Sequence, residues 1–580
     1  MSFTRASSIN ATTFGAQCSE PWRCQVSSNS KKTPLRPQLK PYLWTIGILL
    51  VLWLGFVFFV YSKAQENNMQ LRDINSVLRF SIAGILGAAL LTYSGHWWGK
   101  AVANEKHELA AYKSEIIAKN AEQRTTQTRT YALEIRGIGI AIDDWNQSSI
   151  WKKIDEKYNN FASIYSPSAN DYDSSLSSRS ITRDINMRVA FQHSAGESVA
   201  YWPIPVFALG PPNLYEKAYK AAGLISSGRN KATLGVTQFL WQDDESTTHA
   251  QAMIERLFQF FDNNPKVPQA LIASRDGDVT RDVYRKPGTP GLQNVQAVPT
   301  IFESMTGLLV TRSDRVDRYI RPYATNEAED NQNKNTDLGK LWAFYWEQPR
   351  KFRKIYEDAE KAKGVKAPLA PGTISTAYWQ AQLPTLWKTI SNRGPGNFEP
   401  SPWLPIRWGQ HQVKEFDAAP VLGYLHRPIK ASMQDENGKR LKPALQAKAL
   451  QAAWVQALDT LPEGQKPVRV FYDSTNNPEA EIALNNALHD LNKDGHGLEL
   501  GNVEEGYDIG RRLGNTGVSG TLVEINLATI ASYKDGGVSA VVYAGTDGSL
   551  TVQMVRPPDE ARKAKNSQNR GADPFTYGSP

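Results

Sequence analysis

The alternation of apolar and polar positions changes character once along this chain, near residue 100. Before that point Tyr42–Tyr61, YLWTIGILLVLWLGFVFFVY, carries no charged residue. At about 1.5 Å per residue such a helix spans roughly 30 Å, the thickness of a bilayer's hydrocarbon core. A second apolar run, Phe80–Trp98, follows a short polar loop. The pattern predicts a transmembrane hairpin over residues 42–98, with spans at 42–61 and 80–98, behind a polar tail at 1–41. The tail carries Arg5, Arg23, Lys31, Lys32, Arg36 and Lys40, and Lys100, Lys106, Lys113, Lys119, Arg124 and Arg129 follow the second span. The loop between them has only Lys63, Arg72 and Arg79, offset by Glu66 and Asp73. Positive charge gathers on the cytoplasmic side, so tail and body are both expected there, on the inner membrane. Gly84 and Ala88 would let the hairpin's own two helices approach closely, with a homodimer through them as the alternative.

Beyond residue 100 the pattern switches repeatedly between a period of 3.6 and a period of 2. A polar juxtamembrane helix and linker occupy 99–129. Tyr131–Ile142, with Leu133, Ile135, Ile138, Ile140 and Ile142 around two glycines, reads as a strand bulged near Gly137. Strands are also expected at Met187–Gln192, Trp202–Leu209, Val236–Gln242, Pro268–Ser274 and Leu308–Thr311. Helices are expected at Gln147–Tyr158, Leu214–Ser226, Thr248–Asp262 and Asp314–Arg321, and a polar loop at Tyr165–Arg183. Together these make an N-terminal α/β domain at 130–326. After a polar boundary at Glu327–Asp337, a C-terminal α/β domain at 338–560 opens with an aromatic-rich helical insert. Its helices fall at Leu338–Ala362, Tyr378–Ile390, Ala444–Leu461 and Pro478–Leu491. Its strands fall at Val468–Tyr472, Gly520–Asn526 and a hairpin of Val538–Tyr543 with Ser549–Val555. Residues 561–580 are polar enough to be a disordered tail. The expected class is α/β: two α/β domains with mixed sheets behind the hairpin.

Charge and chemistry narrow the function by exclusion. The net charge is +8 over 580 residues, but the signs are mixed and no long basic block is present. A nucleic-acid partner is therefore not expected. The two cysteines, Cys18 and Cys24, both lie in the tail, which leaves the body without a disulfide framework. The chain has no G-x-S-x-G elbow, no P-loop and no H-E-x-x-H pair. His489 and His496 are seven apart without a third ligand, and Gly137 and Gly139 lack the third glycine of a dinucleotide fingerprint. No catalytic residue, metal site or cofactor is expected.

Three stretches could still carry chemistry. Asp276–Gly277–Asp278 follows a strand, although a D-G turn explains it. Gly514, Gly517 and Gly520 precede an expected strand, whereas a phosphate loop opens a helix. Asp473–Ser474–Thr475 ends a strand, where α/β sheets place ligands, and also suits the cap of the helix at Pro478. A partner surface could instead draw on the aromatic density between 342 and 408, with Trp342, Tyr345, Trp346, Trp379, Trp403 and Trp408 as candidates; most of these aromatics are expected in the core.

The run YALEIRGIGIAIDDWNQSSIWKKI at Tyr131–Ile154 resembles the opening of the type VI lipase adaptor family of Gram-negative bacteria. The order of later motifs is similar too: PPNLYEKAYKAA at Pro211–Ala222, LIASRDGD at Leu271–Asp278, TGLLVTRSDRVDRYIRPYA at Thr306–Ala324, then VRVFYDST and SGTLVEINLATI. The resemblance covers about residues 130–560. It implies a non-enzymatic cytoplasmic adaptor that binds a phospholipase effector and hands it to the type VI secretion spike protein. It assigns no binding residue. Two rival readings stand beside it. One is a membrane-anchored hydrolase or transferase using dispersed carboxylates such as Asp276, Asp278 and Asp473; the other is a structural envelope protein with an extracytoplasmic body.

Overall fold

The computed structural model describes residues 40–66, 79–84, 87–99 and 131–576, apart from 157–160, 213–216, 243–248, 286–287, 365–371, 476 and 494. The tail with Cys18 and Cys24, the loop at 67–78 and the helix and linker expected at 100–129 lie outside the described residues, as does Tyr158. The chain divides into two compact units, Met1–Thr125 and Thr126–Pro580.

In the first unit, α1 spans Lys40–Glu66 and is long and apolar enough to cross a membrane. Residues 79–84 and 87–99 are also helical. Trp53 Nε1 donates to Ser81 Oγ at 2.8 Å, and the Tyr42 hydroxyl meets His96 Nδ1. Tyr42 also packs edge-on against Tyr93, with ring centroids 5.2 Å apart.

The second unit opens with β1 (Ala132–Ile142), β2 (Trp145–Asn146), α2 (Gln147–Glu156) and α3 (Leu176–Ala195). β3 (Pro203–Leu209), α4 (Lys217–Lys231), β4 (Gln238–Trp241), α5 (Ala250–Asn263), β5 (Gln269–Asp276), α6 (Asp278–Val283), β6 (Ser304–Thr311) and α7 (Ser313–Tyr319) follow. Next come α8 (Asp337–Ala362), β7 (Ile374–Ser375), α9 (Thr376–Trp387), α10 (Gln410–Ala418), β8 (Gly423–His426), β9 (Ile429–Ala431), α11 (Pro443–Leu458), β10 (Pro467–Tyr472) and α12 (Pro478–Asn492). The unit ends with β11 (Gly506–Asp508), α13 (Ile509–Leu513), α14 (Gly520–Asp535), β12 (Val538–Ala544), β13 (Leu550–Arg556) and α15 (Glu560–Arg570).

The two α/β regions expected from the sequence share one sheet. Among the described residues 13 strands join in the order β11-β10-β12-β13-β8-β1-β6-β5-β3-β4-β7, with β2 on β1 and β9 on β13. Both ends are parallel, β11-β10-β12 and β5-β3-β4-β7, and the middle is antiparallel. The joint is β1. Its first residues pair with β8 and its later ones with β6, and the register shifts between Ile135 and Gly137. That is the bulge the glycines predict. It turns the Arg136 side chain inward, where it bonds Glu134, Thr311, Ser313 and the Phe416 and Ala419 carbonyls.

The sheet wraps around α14. This helix touches β1 and β6 of one half and β10, β12 and β13 of the other. Every residue from Leu522 to Tyr533 is buried. Asn526 Nδ2 donates to the Gly139 and Gly307 carbonyls, while Ser532 Oγ bonds Ser539 and the Val555 carbonyl. Outside this middle layer, α3 covers β1 and β6, and α11 and α12 form a second apolar cluster with β10, β12 and β13.

Three expectations fail here for physical reasons. Gly520–Asn526 is not a strand but the first half of α14. A helix buried all round shows no amphipathic stripe, and Val523, Ile525 and Thr521 weight the composition toward strand. Met187–Gln192 lies inside α3, which begins within the expected loop because Ser175 caps it, accepting from Ser178 N. Residues 561–570 belong to α15 rather than to a disordered tail. Asn566 there brackets the Val421 backbone, and Phe575, 1% exposed, packs edge-on against Tyr533. Residues 577–580 lie outside the described residues.

Candidate functional site

The aromatic candidates divide by depth. Tyr345, Trp379, Trp403 and Trp408 are all buried. Three of them use their polar atoms internally: Tyr345 Oη donates to the Phe239 carbonyl, Trp379 Nε1 to the Pro402 carbonyl and Trp403 Nε1 to Asn264 Oδ1. Trp408 packs edge-on against Trp202 at 5.6 Å. These four form core, since a side chain without solvent contact cannot meet a partner. Trp342 and Trp346 are half-buried and stand 5.4 Å apart, with Tyr201 against Trp342 and the Arg229 guanidinium over Trp346.

The three acidic candidates do not converge on one opening. Asp276, fully buried at the end of β5, is held by Arg281 through two bonds of 2.7 and 2.8 Å. Its Oδ2 also accepts from Val518 N at 2.9 Å. It clamps β5 to the glycine run that leads into α14. Gly517, at φ +60°, is required there, because a Cβ would lie 2.0 Å from Asp276 Oδ2. The run does open a helix, contrary to expectation, but the chain's own groups occupy its amides. Gly514 N bonds the Gly510 carbonyl, Gly517 N bonds Asn515 Oδ1 and Val518 N bonds Asp276. Asp473 accepts from Thr475 N, and Ser474 Oγ donates to Asp508 at 2.5 Å. Burial, and then Asp508, push the Asp473 carboxyl up.

Asp278 lies in a different place: the wall of a cavity of ≈ 250 Å³ that also collects Asp143, Asp144, Asp171, Asp173 and Glu303. Strand ends build it. β1 stops at Ile142, so Asp143 and Asp144 project at the turn into β2, Asp143 in the left-handed region at φ 42°. Asp143 Oδ1 accepts from Glu303 N at 3.0 Å, just ahead of β6. Glu303 in turn caps α6, accepting from Val279 N and Thr280 N. Asp278 holds Thr300 N at 2.7 Å and Ile301 N at 3.2 Å. Trp145, Tyr165 and Tyr172 supply aromatic walls, and Arg179 and Thr182 of α3 close one side.

The electrostatics are one-sided. Six carboxyl side chains face one guanidinium in the lining, and among the described residues none of the six forms an ion pair. Burial first, then the nearby Glu303 carboxylate, push Asp143 up to about 8. Burial also raises Glu303. A larger groove of ≈ 600 Å³ lies between β1, the end of α3 and the end of α15, lined by Arg136, His193, Glu197 and Arg570 among others. Its charges are matched: Arg570 pairs with Glu197, and Arg136 with Glu134. Among the described residues no group of three His, Cys, Asp or Glu side chains is arranged to hold a metal ion. Of the cavity's acids, only Asp278 stood out in the sequence. The signal for Asp143 and Asp144 is an acidic pair directly after a strand, at the end of the run that holds Gly137 and Gly139.

Residues 131–295 match the family model described as "Type VI lipase adapter protein Tla3, N-terminal", and residues 422–557 match its C-terminal counterpart. Together these cover just over half of the 580 residues. Solved structures with some likeness include two ketosynthases of bacillaene synthases. That of module 6 from Bacillus subtilis 168 has 9% identity and a TM-score of 0.38, over 74% of this chain and 72% of that one. That of module 1 from Bacillus amyloliquefaciens FZB42 has the same identity and TM-score, over 74% and 76%. A third, 3-oxoacyl-[acyl-carrier-protein] synthase III from Aquifex aeolicus VF5, has 8% identity and a TM-score of 0.28, over 73% and 99%. On the two family matches, which bracket the sheet from β1 to β13, the chain belongs to the type VI lipase adapter family described as Tla3.

Proposed function

We propose that this protein is a non-enzymatic, membrane-anchored adaptor: it binds a phospholipase effector in the cytoplasm and delivers it to the secretion spike. Membership of a lipase adapter family is the observation that carries this reading. The hairpin of α1 and the second apolar run crosses the inner membrane twice, leaving tail and body in the cytoplasm. The gain is one of effective concentration, since two modest contacts on one scaffold hold effector and spike together more tightly than either contact alone. Trp342 and Trp346, the two aromatic candidates that stay half-buried, belong to a partner surface.

The test is capture by the full-length, detergent-solubilised protein from a lysate of its source bacterium, with retained proteins identified by mass spectrometry. A phospholipase retained together with a spike protein is the expected result. Retention of neither, with hydrolysis of a lipid substrate by the purified protein, would replace the adaptor with the hydrolase reading. The raised carboxyl of Asp143 in its cavity would then be the first group to mutate.

A further inference from the structure

We propose that the acidic cavity at the ends of β1 and β6, with the outward face of α3 beside it, docks a segment of the protein partner that presents one lysine or arginine flanked by apolar residues. This rests on the adaptor reading and names the chemistry of its contact.

Four observations carry it. The cavity of ≈ 250 Å³ falls below the roughly 300–1,000 Å³ of pockets for drug-sized ligands, so it suits one long side chain rather than a whole small molecule. Its lining is acidic, with only Arg179 opposed, in a chain whose net charge is +8. Carboxylates such as Asp184, Asp276, Asp417 and Asp547 have a cation in direct contact, whereas among the described residues these six form no such pair, and Arg179, Arg275 and Arg281 act on Asp173, Glu303 and Asp278 only from farther off. The tyrosine rings of the wall suit a cation's approach, much as Lys153 already lies 3.9 Å over the Trp145 ring. Finally, exposed apolar side chains stand next to lining residues in the chain. Ile181 and Ile185, 58% and 54% exposed, flank Thr182 on α3, and Val298, beside Pro299 of the lining, is 39% exposed. A free metal ion or small amine would have no use for that face, whereas a polypeptide would cover it.

Binding of a cation would favour the ionised form of Asp143, which faces Glu303, Asp144, Asp278, Tyr165 and Tyr172. Affinity should therefore rise between pH 6 and pH 8.5.

The experiment uses the full-length protein in detergent, with N-acetyl-lysine-N′-methylamide as the probe and its norleucine counterpart as the uncharged control. Binding is read by saturation-transfer NMR. The lysine probe should be saturated through its ε-methylene and the control should not. Asp144→Asn, Asp171→Asn and Asp173→Asn together should weaken the lysine probe about tenfold, since three exposed charges are removed from around it. All three positions are exposed, and asparagine keeps the acceptor oxygens that Asp171 and Asp173 use locally. The same triple variant, and separately Ile185→Glu, should lose capture of the phospholipase that the wild type retains. Undiminished probe binding in the triple variant overturns the proposal, and so does undiminished capture, while wild-type capture leaves the adaptor reading intact. If the wild type captures no phospholipase, the adaptor reading falls, and the probe's dependence on the three aspartates still decides whether the cavity takes a basic side chain.

Discussion

Asp143 is where burial and function pull against each other. Its carboxyl sits among other acids at a turn with positive φ, a conformation that Asp and Asn tolerate better than most residues. Its folded pKa is raised to about 8, so the folded chain holds this proton more tightly than the unfolded chain does. The associated stability is fully present below the ordinary carboxylate range and is lost as pH rises through about 8. The loss amounts to at most about 1.4 kcal/mol per pH unit within that window. An asparagine side chain at this position would accept from Glu303 N as the aspartate does, without the titration. Asp143→Asn should therefore gain stability relative to the wild type as pH rises, with the gap levelling off above pH 9. Urea denaturation of both proteins at pH 5, 7 and 9 reads this directly. A gap that stays constant across the three would mean that Asp143 is not held in its neutral form.

At the level of elements, legibility followed amphipathicity. α5, α8 and α12 are apolar on one face and were visible with nearly correct ends, as was the hairpin of β12 and β13. α14 was not visible, because no face of it meets water and a helix without a polar side has no period to read. The same blindness hid its glycine run, which looked like a turn before a strand but feeds the central helix and is closed by Asp276. The candidate site suffered a related loss. Asp143 and Asp144 are far from Glu303 in sequence and meet it only because β1 and β6 are antiparallel neighbours, with Ile142 opposite Ser304. At the other extreme stands α15, whose polar composition reads as disorder. Among the contacts that hold it is Asn566, buried at 2% exposure, which accepts from Val421 N and donates to the Val421 carbonyl. Removing that side chain strands two buried backbone groups. Asn566→Ala should cost about 1–3 kcal/mol in chemical denaturation. A substitution without effect would show that α15 is not docked in solution.

For the whole molecule, the question with most consequence is which side of the membrane the body occupies, because an adaptor for a cytoplasmic effector must share its compartment. Parity decides this. α1 is uncharged through Tyr42–Tyr61, and a charge at a helix centre would cost about 2.5–3.5 kcal/mol on insertion scales, so nothing opposes its insertion. With the basic tail held inside, one crossing puts the body outside and two crossings bring it back. The second run contains three glycines, at 84, 87 and 95, and is the weaker insert, but the basic residues that follow it favour retention in the cytoplasm. A green fluorescent protein fused after Pro580 folds to its fluorescent form in the cytoplasm and stays dark when exported through the general secretory route. The full-length fusion should be membrane-bound and fluorescent. Deleting residues 79–99, which leaves α1 alone, should keep the fusion in the membrane fraction but extinguish it. A dark full-length fusion would mean a single crossing, an extracytoplasmic body and no access to a cytoplasmic effector, and the adaptor reading would fall with it.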